Sequence, residues 1–513
     1  MKKFLSLLAG LWLVAPPTHA EVRLAALFGD HMVLQREAAV SVWGTATPDE
    51  VITVELGKQK LSTHADKDGK WRVRLAPLKP GAPLELTVTG QNKIVLRDVL
   101  VGDVWLCSGQ SNMDMRVARG DRYWCGVTNE AAEVAAAKYP LIRSFYLKTK
   151  MTDEPQADVS GQWDVCSPTT VRDFSAAAYF FARDLQTNLD VPVGLIVSAF
   201  GASTAEAWVS RPALEQKSEL VPLLEKYAVA QNSFSTNGAA KTKYTEAKAK
   251  WEIAAAAAKA AGQDAPKGPK NPDPGQDQHN PSVLFNGMIA PLAPCAIRGA
   301  LWYQGESNTG VAKTYFTLMQ TLIADWRKTF AQGDFPFIFV QLAGHKAATT
   351  NAGASSQIAA LRDAQLQTLA VTNTAMATAV DVGDEKNVHP KNKQAVGARL
   401  ALAARALAYG EKIPFSGPLY DSMKVESAQL RLRFKHTDGG LVARGGQLTG
   451  FALAGADRKF VWADAKIDGD SVVVSSPTVT APVAVRYAWA DNPAISLDNG
   501  AGLPASPFRT DNW

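Results

Sequence analysis

The chain has 513 residues, with 54 Lys and Arg against 49 Asp and Glu and a formal net charge of +5. That length exceeds one ordinary domain, and so even a charge balance leaves no electrostatic footprint for nucleic acid or a membrane surface. Four cysteines (Cys107, Cys125, Cys166, Cys295) are few for a disulfide scaffold and too scattered for a ligand pair, so no metal site is expected.

The predicted elements begin with a leader. Lys2-Lys3, the apolar run Phe4 to Val14 and the small-residue end Thr18-His19-Ala20 make residues 1–20 a secretory signal peptide, too short to span a bilayer. A periplasmic or secreted protein is expected, and no later segment reads as a membrane span. Export would permit one or two disulfides, whose pairing the spacing does not define.

Residues 21–100 alternate with period two in "VITVEL" (Val51 to Leu56), "WRVRL" (Trp71 to Leu75) and "LELTV" (Leu84 to Val88), with turns such as "DKDG" between them. This predicts a small β-sandwich. Residues 413–513 repeat the style in "QLRLRF" (Gln429 to Phe434) and "SVVVSS" (Ser471 to Ser476).

Between them, residues 101–412 alternate strands with helices. "DFSAAAYFFARDLQTNL" (Asp173 to Leu189) and "TYFTLMQTLIADWRKTF" (Thr314 to Phe330) are helical, while "VGLIVSAFG" (Val193 to Gly201) and "FPFIFVQLA" (Phe335 to Ala343) are buried strands. The class is α/β, a parallel sheet with helices on both faces. A long Ala/Lys helix (Lys241 to Gln263) and a Pro/Gly-rich loop interrupt the alternation, as an insertion near residues 211–281 that serves as a spacer or a substrate lid.

Several strands end in polar loops, after Leu106, Phe200 and Tyr303, and a fourth loop (Asp381 to Gly397) carries His389 beside Pro390. Pro390 suits the first turn of a helix running to Tyr409 and stopping at Gly410. The carboxyl edge of an open α/β sheet is where ligands bind. A serine hydroxyl there becomes a nucleophile when an imidazole takes its proton, and the oxyanion it forms needs preorganised N–H donors. Of the histidines beyond the leader, His31, His64 and His436 fall in the flanking β regions and His279 in the insertion loop. His345, after a central strand, competes with His389.

The blocks "GQSNM" (Gly109 to Met113), "FGASTAEAW" (Phe200 to Trp208), "WYQGESN" (Trp302 to Asn308) and "HPKNKQAVGARLA" (His389 to Ala401) occur in one order. With "GDHMVLQR" (Gly29 to Arg36) and "FNGMIAPL" (Phe285 to Leu292), the chain resembles sialate O-acetylesterase-like proteins of the SGNH (GDSL-type) hydrolase superfamily over nearly all its length beyond the leader. The resemblance implies Ser111, not Ser108, as nucleophile and His389 as general base. It implies an oxyanion hole from the N–H groups of Ser111 and Gly201 and the side chain of Gln304, with Asn308 as second choice. No cofactor or metal is implied.

The sequence departs from that pattern twice. Gly201-Ala202-Ser203 stands where relatives resemble Gly-Gly-Thr, and Lys386, with Asn387 after it, occupies the position three before His389 where the superfamily often places its orienting aspartate. Asp384 is the favoured replacement, ahead of Asp381, Glu385 and Glu306; a Ser-His dyad helped by a backbone carbonyl is the alternative. Asp384→Asn is then expected to cut turnover and Asp381→Asn to cut stability. Cys107 is expected in the core and Trp208 in the wall of a substrate cleft.

The resemblance thus implies an exported carbohydrate O-acetylesterase with an acetylated glycan as substrate. An esterase acting on acetylated xylan or xyloglucan is the alternative, and an inactive carbohydrate-binding protein the alternative of another class. Oligomeric state stays open.

Overall fold

The computed structural model describes residues 21–513 apart from Gly262 and Asp264; the leader lies outside the described residues. At its centre is an eleven-stranded mixed sheet. Six parallel strands lie in the order Ile142–Tyr146, Val193–Ala199, Lys93–Gly109, Gly299–Tyr303, Phe337–Gln341 and Thr374–Thr378, with Trp163–Val165 antiparallel at one edge.

Their sequences are nearly continuous apolar runs because both faces are covered. Val104 and Leu106 point into one core with Leu318, Leu322 and Trp326 of the helix Ala312–Phe330. Trp105 and Cys107 point into the other, with the helices Ala176–Leu189 and Lys393–Tyr409. Those two helices touch at Gly397, where a Cβ would lie 2.4 Å from Phe180 Cβ.

Lys93–Gly109 is a single strand of 17 residues. Its first half pairs antiparallel with Leu84–Thr89 and its second half runs parallel between Val193–Ala199 and Gly299–Tyr303. The boundary expected at residue 100 therefore falls inside one strand. Beyond the central helices, two four-stranded sheets share a core of Leu430, Leu432, Val472 and Val474 against Phe451, Leu453, Val485 and Tyr487.

Local differences from the sequence reading have local causes. The last long helix starts at Lys393, not beside His389, because Asn392 caps it by accepting the Ala395 N–H. Ser175 caps Ala176–Leu189 the same way, so Asp173 lies before that helix and pairs with Arg116. The inserted region holds a second long helix, Val221–Thr236, before Gly238–Ala260. All four cysteines are free thiols, and burial pushes Cys107 far above the ordinary thiol range.

Candidate active site

The central strand Lys93–Gly109 lies where the strand order reverses, the crevice position of open α/β sheets. It ends at Gly109, whose φ of +135° only glycine adopts easily, and a Cβ there would meet the Tyr303 carbonyl at 2.2 Å. The chain then turns into the short helix Ser111–Asp114. That turn lifts Ser111 to the surface of the sheet edge, while Ser108 stays fully buried in the strand.

Ser111 Oγ lies 2.8 Å from His389 Nε2. The loop that brings the histidine follows the strand Thr374–Thr378 and is held by Asn387, which accepts the His389 N–H at 2.9 Å. Burial first, then the positive charge of Lys393 and His345, lower the imidazole to about 4, so it is neutral and able to accept a proton near pH 7. The Trp124 ring covers it at 4.9 Å between centroids. Gly201 begins the turn after the neighbouring strand, and a Cβ on it would lie 3.7 Å from Ser111 Cβ. The N–H groups of Ser111 and Gly201 enter no hydrogen bond among the described residues.

Beneath this pair lies a polar clasp. Asn112 Nδ2 donates to the Val388 carbonyl at 3.0 Å and to Glu306 Oε1 at 2.5 Å, and its Oδ1 accepts from Lys393 Nζ at 2.7 Å. Lys393 also donates to the Pro390 carbonyl at 2.7 Å. The carbonyls on either side of His389 are thus tied to the residue after Ser111. Burial lowers the Lys393 ammonium to about 7 against the opposing charge of Glu306, and raises the Glu306 carboxyl. The second Glu306 oxygen is buried without a partner.

The other expected site residues are put to different uses. Asp384 is exposed and its carboxylate accepts the Lys386 N–H at 2.8 Å, a two-residue side-chain turn, while its carbonyl faces His345 Nδ1 at 3.2 Å. No carboxylate reaches the His389 ring among the described residues. Asp381 is bound bidentately by Arg399 at 2.6 and 2.8 Å and approached by Arg444 at 3.4 Å.

Gln304 is fully buried and both its N–H groups are committed, to the Ser203 carbonyl at 3.1 Å and to Asn308 Oδ1 at 2.6 Å, so it braces the third block and is not a free donor. Asn308 holds Glu206 Oε2 at 2.9 Å and keeps one N–H uncommitted. Trp208 is a core residue, not a cleft wall: it is fully buried, bonded to Ser203 Oγ at 2.9 Å and packed edge-to-face on Trp302.

The aromatic residue that does frame the site is Trp124, and its neighbour Tyr123 is 81% exposed. Their signal in the sequence is "RYWCG" (Arg122 to Gly126), two adjacent aromatics in a polar stretch without helical or strand period. No cluster of His, Cys, Asp and Glu able to hold a metal occurs among the described residues.

A family profile described as carbohydrate esterase, sialic acid-specific acetylesterase, matches residues 278–406. The solved structure of a carbohydrate acetylesterase from Xanthomonas citri superposes with a TM-score of 0.80 at 35% identity, covering 96% of this chain and all of that one. Fold, site and matches together define a carbohydrate esterase. The sialate O-acetylesterase of Mus musculus is 31% identical over 95% of this chain and 94% of its own length, and that of Homo sapiens 30% identical over 95% and 92%. The chain belongs to the sialate O-acetylesterase family.

Proposed function

We propose that the protein is an exported carbohydrate O-acetylesterase of SGNH type working through a serine acyl-enzyme. The observation that carries this is the 2.8 Å contact of Ser111 Oγ with a neutral, buried His389 Nε2, beside two unpaired backbone N–H groups. Ser111 attacks the acetyl carbonyl as His389 takes its proton. The Ser111 and Gly201 N–H groups receive the oxyanion, with the remaining N–H of Asn308 as a third donor. His389 returns the proton to the departing sugar oxygen, and water releases acetate and restores Ser111.

With no acid on the imidazole, the pair works as a dyad whose histidine is held through its backbone by Asn112 and Lys393. Residues 1–20 are the export signal, and mature chains start at Glu21. The flanking β regions brace the catalytic part. The mouse and human relatives are named for sialate; acetylated polysaccharide is the other substrate class.

Hydrolysis of 4-nitrophenyl acetate and a fluorophosphonate adduct mapped by mass spectrometry test the mechanism. The adduct is expected on Ser111, and Ser111→Ala is expected to be inactive. Normal turnover by Ser111→Ala, or an adduct on Ser108, overturns it.

A further inference from the structure

A cavity of about 390 Å³ opens on the C-terminal sheets. Trp462, at the end of the strand Phe460–Trp462, lines it and is 46% exposed. Its only donor, the indole Nε1, is committed to the Thr350 carbonyl at 2.7 Å, which fixes the ring and leaves its carbon surface to be covered. A second indole, Trp489, lines the same cavity, with the Arg486 and Arg509 guanidinium groups 5.2 Å from its centroid. The side chains of Gln447 and Asp464 complete the lining and enter no hydrogen bond or ion pair among the described residues.

This combination selects a ligand. Fixed aromatic surface beside free amide and carboxylate groups suits the apolar faces and hydroxyl rims of a sugar ring. Asp464 is the one ionisable side chain on the lining, and the Arg486 and Arg509 groups beside Trp489 are already paired with Asp511 and Asp363, so the uncommitted charge is negative and disfavours an anionic sugar.

A short stretch of chain links the cavity to the loop that carries His389. Thr349 forms part of its wall, four residues from His345 and so no more than about 14 Å along the chain. His345 meets the Asp384 carbonyl in the loop that carries His389, and its charge is felt by His389. The intervening loop is pinned to the sheets by Lys346 Nζ on Asp491 at 2.8 Å and by Asn492 Nδ2 on the Lys346 carbonyl at 2.8 Å.

We propose that this cavity is a distal subsite for the neutral backbone of the glycan whose acetyl ester sits at Ser111, with one ring stacked on Trp462 and its hydroxyls met by Gln447 and Asp464. The proposal rests on the esterase reading above and extends it, by making the substrate an uncharged chain several sugars long.

Ser111→Ala protein, which binds without turnover, is titrated with xylohexaose, cellohexaose, mannohexaose and the anionic sialyllactose while tryptophan fluorescence is followed. Saturable quenching by at least one neutral hexaose, none by sialyllactose, and at least fivefold weaker binding after adding Trp462→Ala are expected. On the O-acetylated polymer of the binding sugar, Trp462→Ala should lower kcat/KM relative to that on 4-nitrophenyl acetate at least fivefold, through KM. Absence of neutral-sugar binding, preference for sialyllactose, or an unchanged ratio in Trp462→Ala overturns the subsite. A wild-type protein that binds the hexaose but never cleaves 4-nitrophenyl acetate overturns the esterase reading instead.

Discussion

At the scale of single residues, the histidine proposed as the base is governed by what surrounds its backbone more than by an acid on its ring. Asp384 is exposed and turned into its own loop, so Asp384→Asn should change kcat by no more than about twofold, the size of a surface substitution (about 0.5 kcal/mol). A loss of orders of magnitude would restore Asp384 as the orienting acid. Lys393→Met keeps the volume of the stem but removes both the bond to Pro390 and a positive charge facing His389. Turnover is expected to fall on the order of 10²-fold, as displaced catalytic groups do.

Its pH profile should move as well. In the wild type His389 stays neutral down to about pH 4, so the acid limb of kcat/KM lies there and not near 6.5. The groups that face it are Lys393, His345 and, through Asn112, Glu306. Losing the Lys393 charge raises the imidazole pKa and moves the limb to higher pH; an unmoved limb with lower kcat would make Lys393 structural only. The same depression means that the unfolded chain takes up the proton first, so stability from this group falls as pH drops from about 6.5 to 4.

At the scale of elements, the sequence shows strands and helices where period decides and hides them where contacts decide. The apolar run Val193 to Ala199 and the helix ending at Tyr409 are legible because burial on one or both faces writes itself into the residue pattern. Ser111, His389 and Gly201, which the structure brings together, are legible because each lies in a motif in the loop that follows a strand. Gln304 and Trp208 misled for a shared reason: both lie in motif blocks, yet motif membership does not say whether a side chain faces substrate or the next layer of the core. The use of Asp381 was equally hidden, since its partner Arg399 is one turn and a half inside the following helix. Asp381→Asn should cost about 3 kcal/mol by leaving a buried guanidinium unpaired, read as a lower urea midpoint with kcat retained. An unshifted midpoint would show that the Asp381–Arg399 pair adds nothing to stability.

At the scale of the whole molecule, both flanking β regions were legible from alternation and turns, but their attachment was not, because pairing between distant strands leaves no local trace. The C-terminal sheets are joined to the catalytic part by Arg362, fully buried, which donates to the carbonyls of Leu342, Ala343, Ala490 and Asp491 at 2.7 to 2.9 Å. The loop after His345, tied to Asp491 by Lys346 and to Trp462 by the Thr350 carbonyl, belongs to the same join. The N-terminal region is attached differently, by the strand Lys93–Gly109 itself. The strand begins in one hydrogen-bonded ladder and ends at the turn that carries Ser111, and a register shift separates the two ladders where Arg97 and Asp98 stand opposite Glu85, with Asp98 at φ +56°. Slippage by one residue beyond that shift would carry through to Gly109 and invert every side chain on the way. The shift lets the early β region and the parallel ladder keep separate registers, so the two parallel neighbours on either side decide which residue stands at the end of the strand, and the early hairpins can vary without moving it.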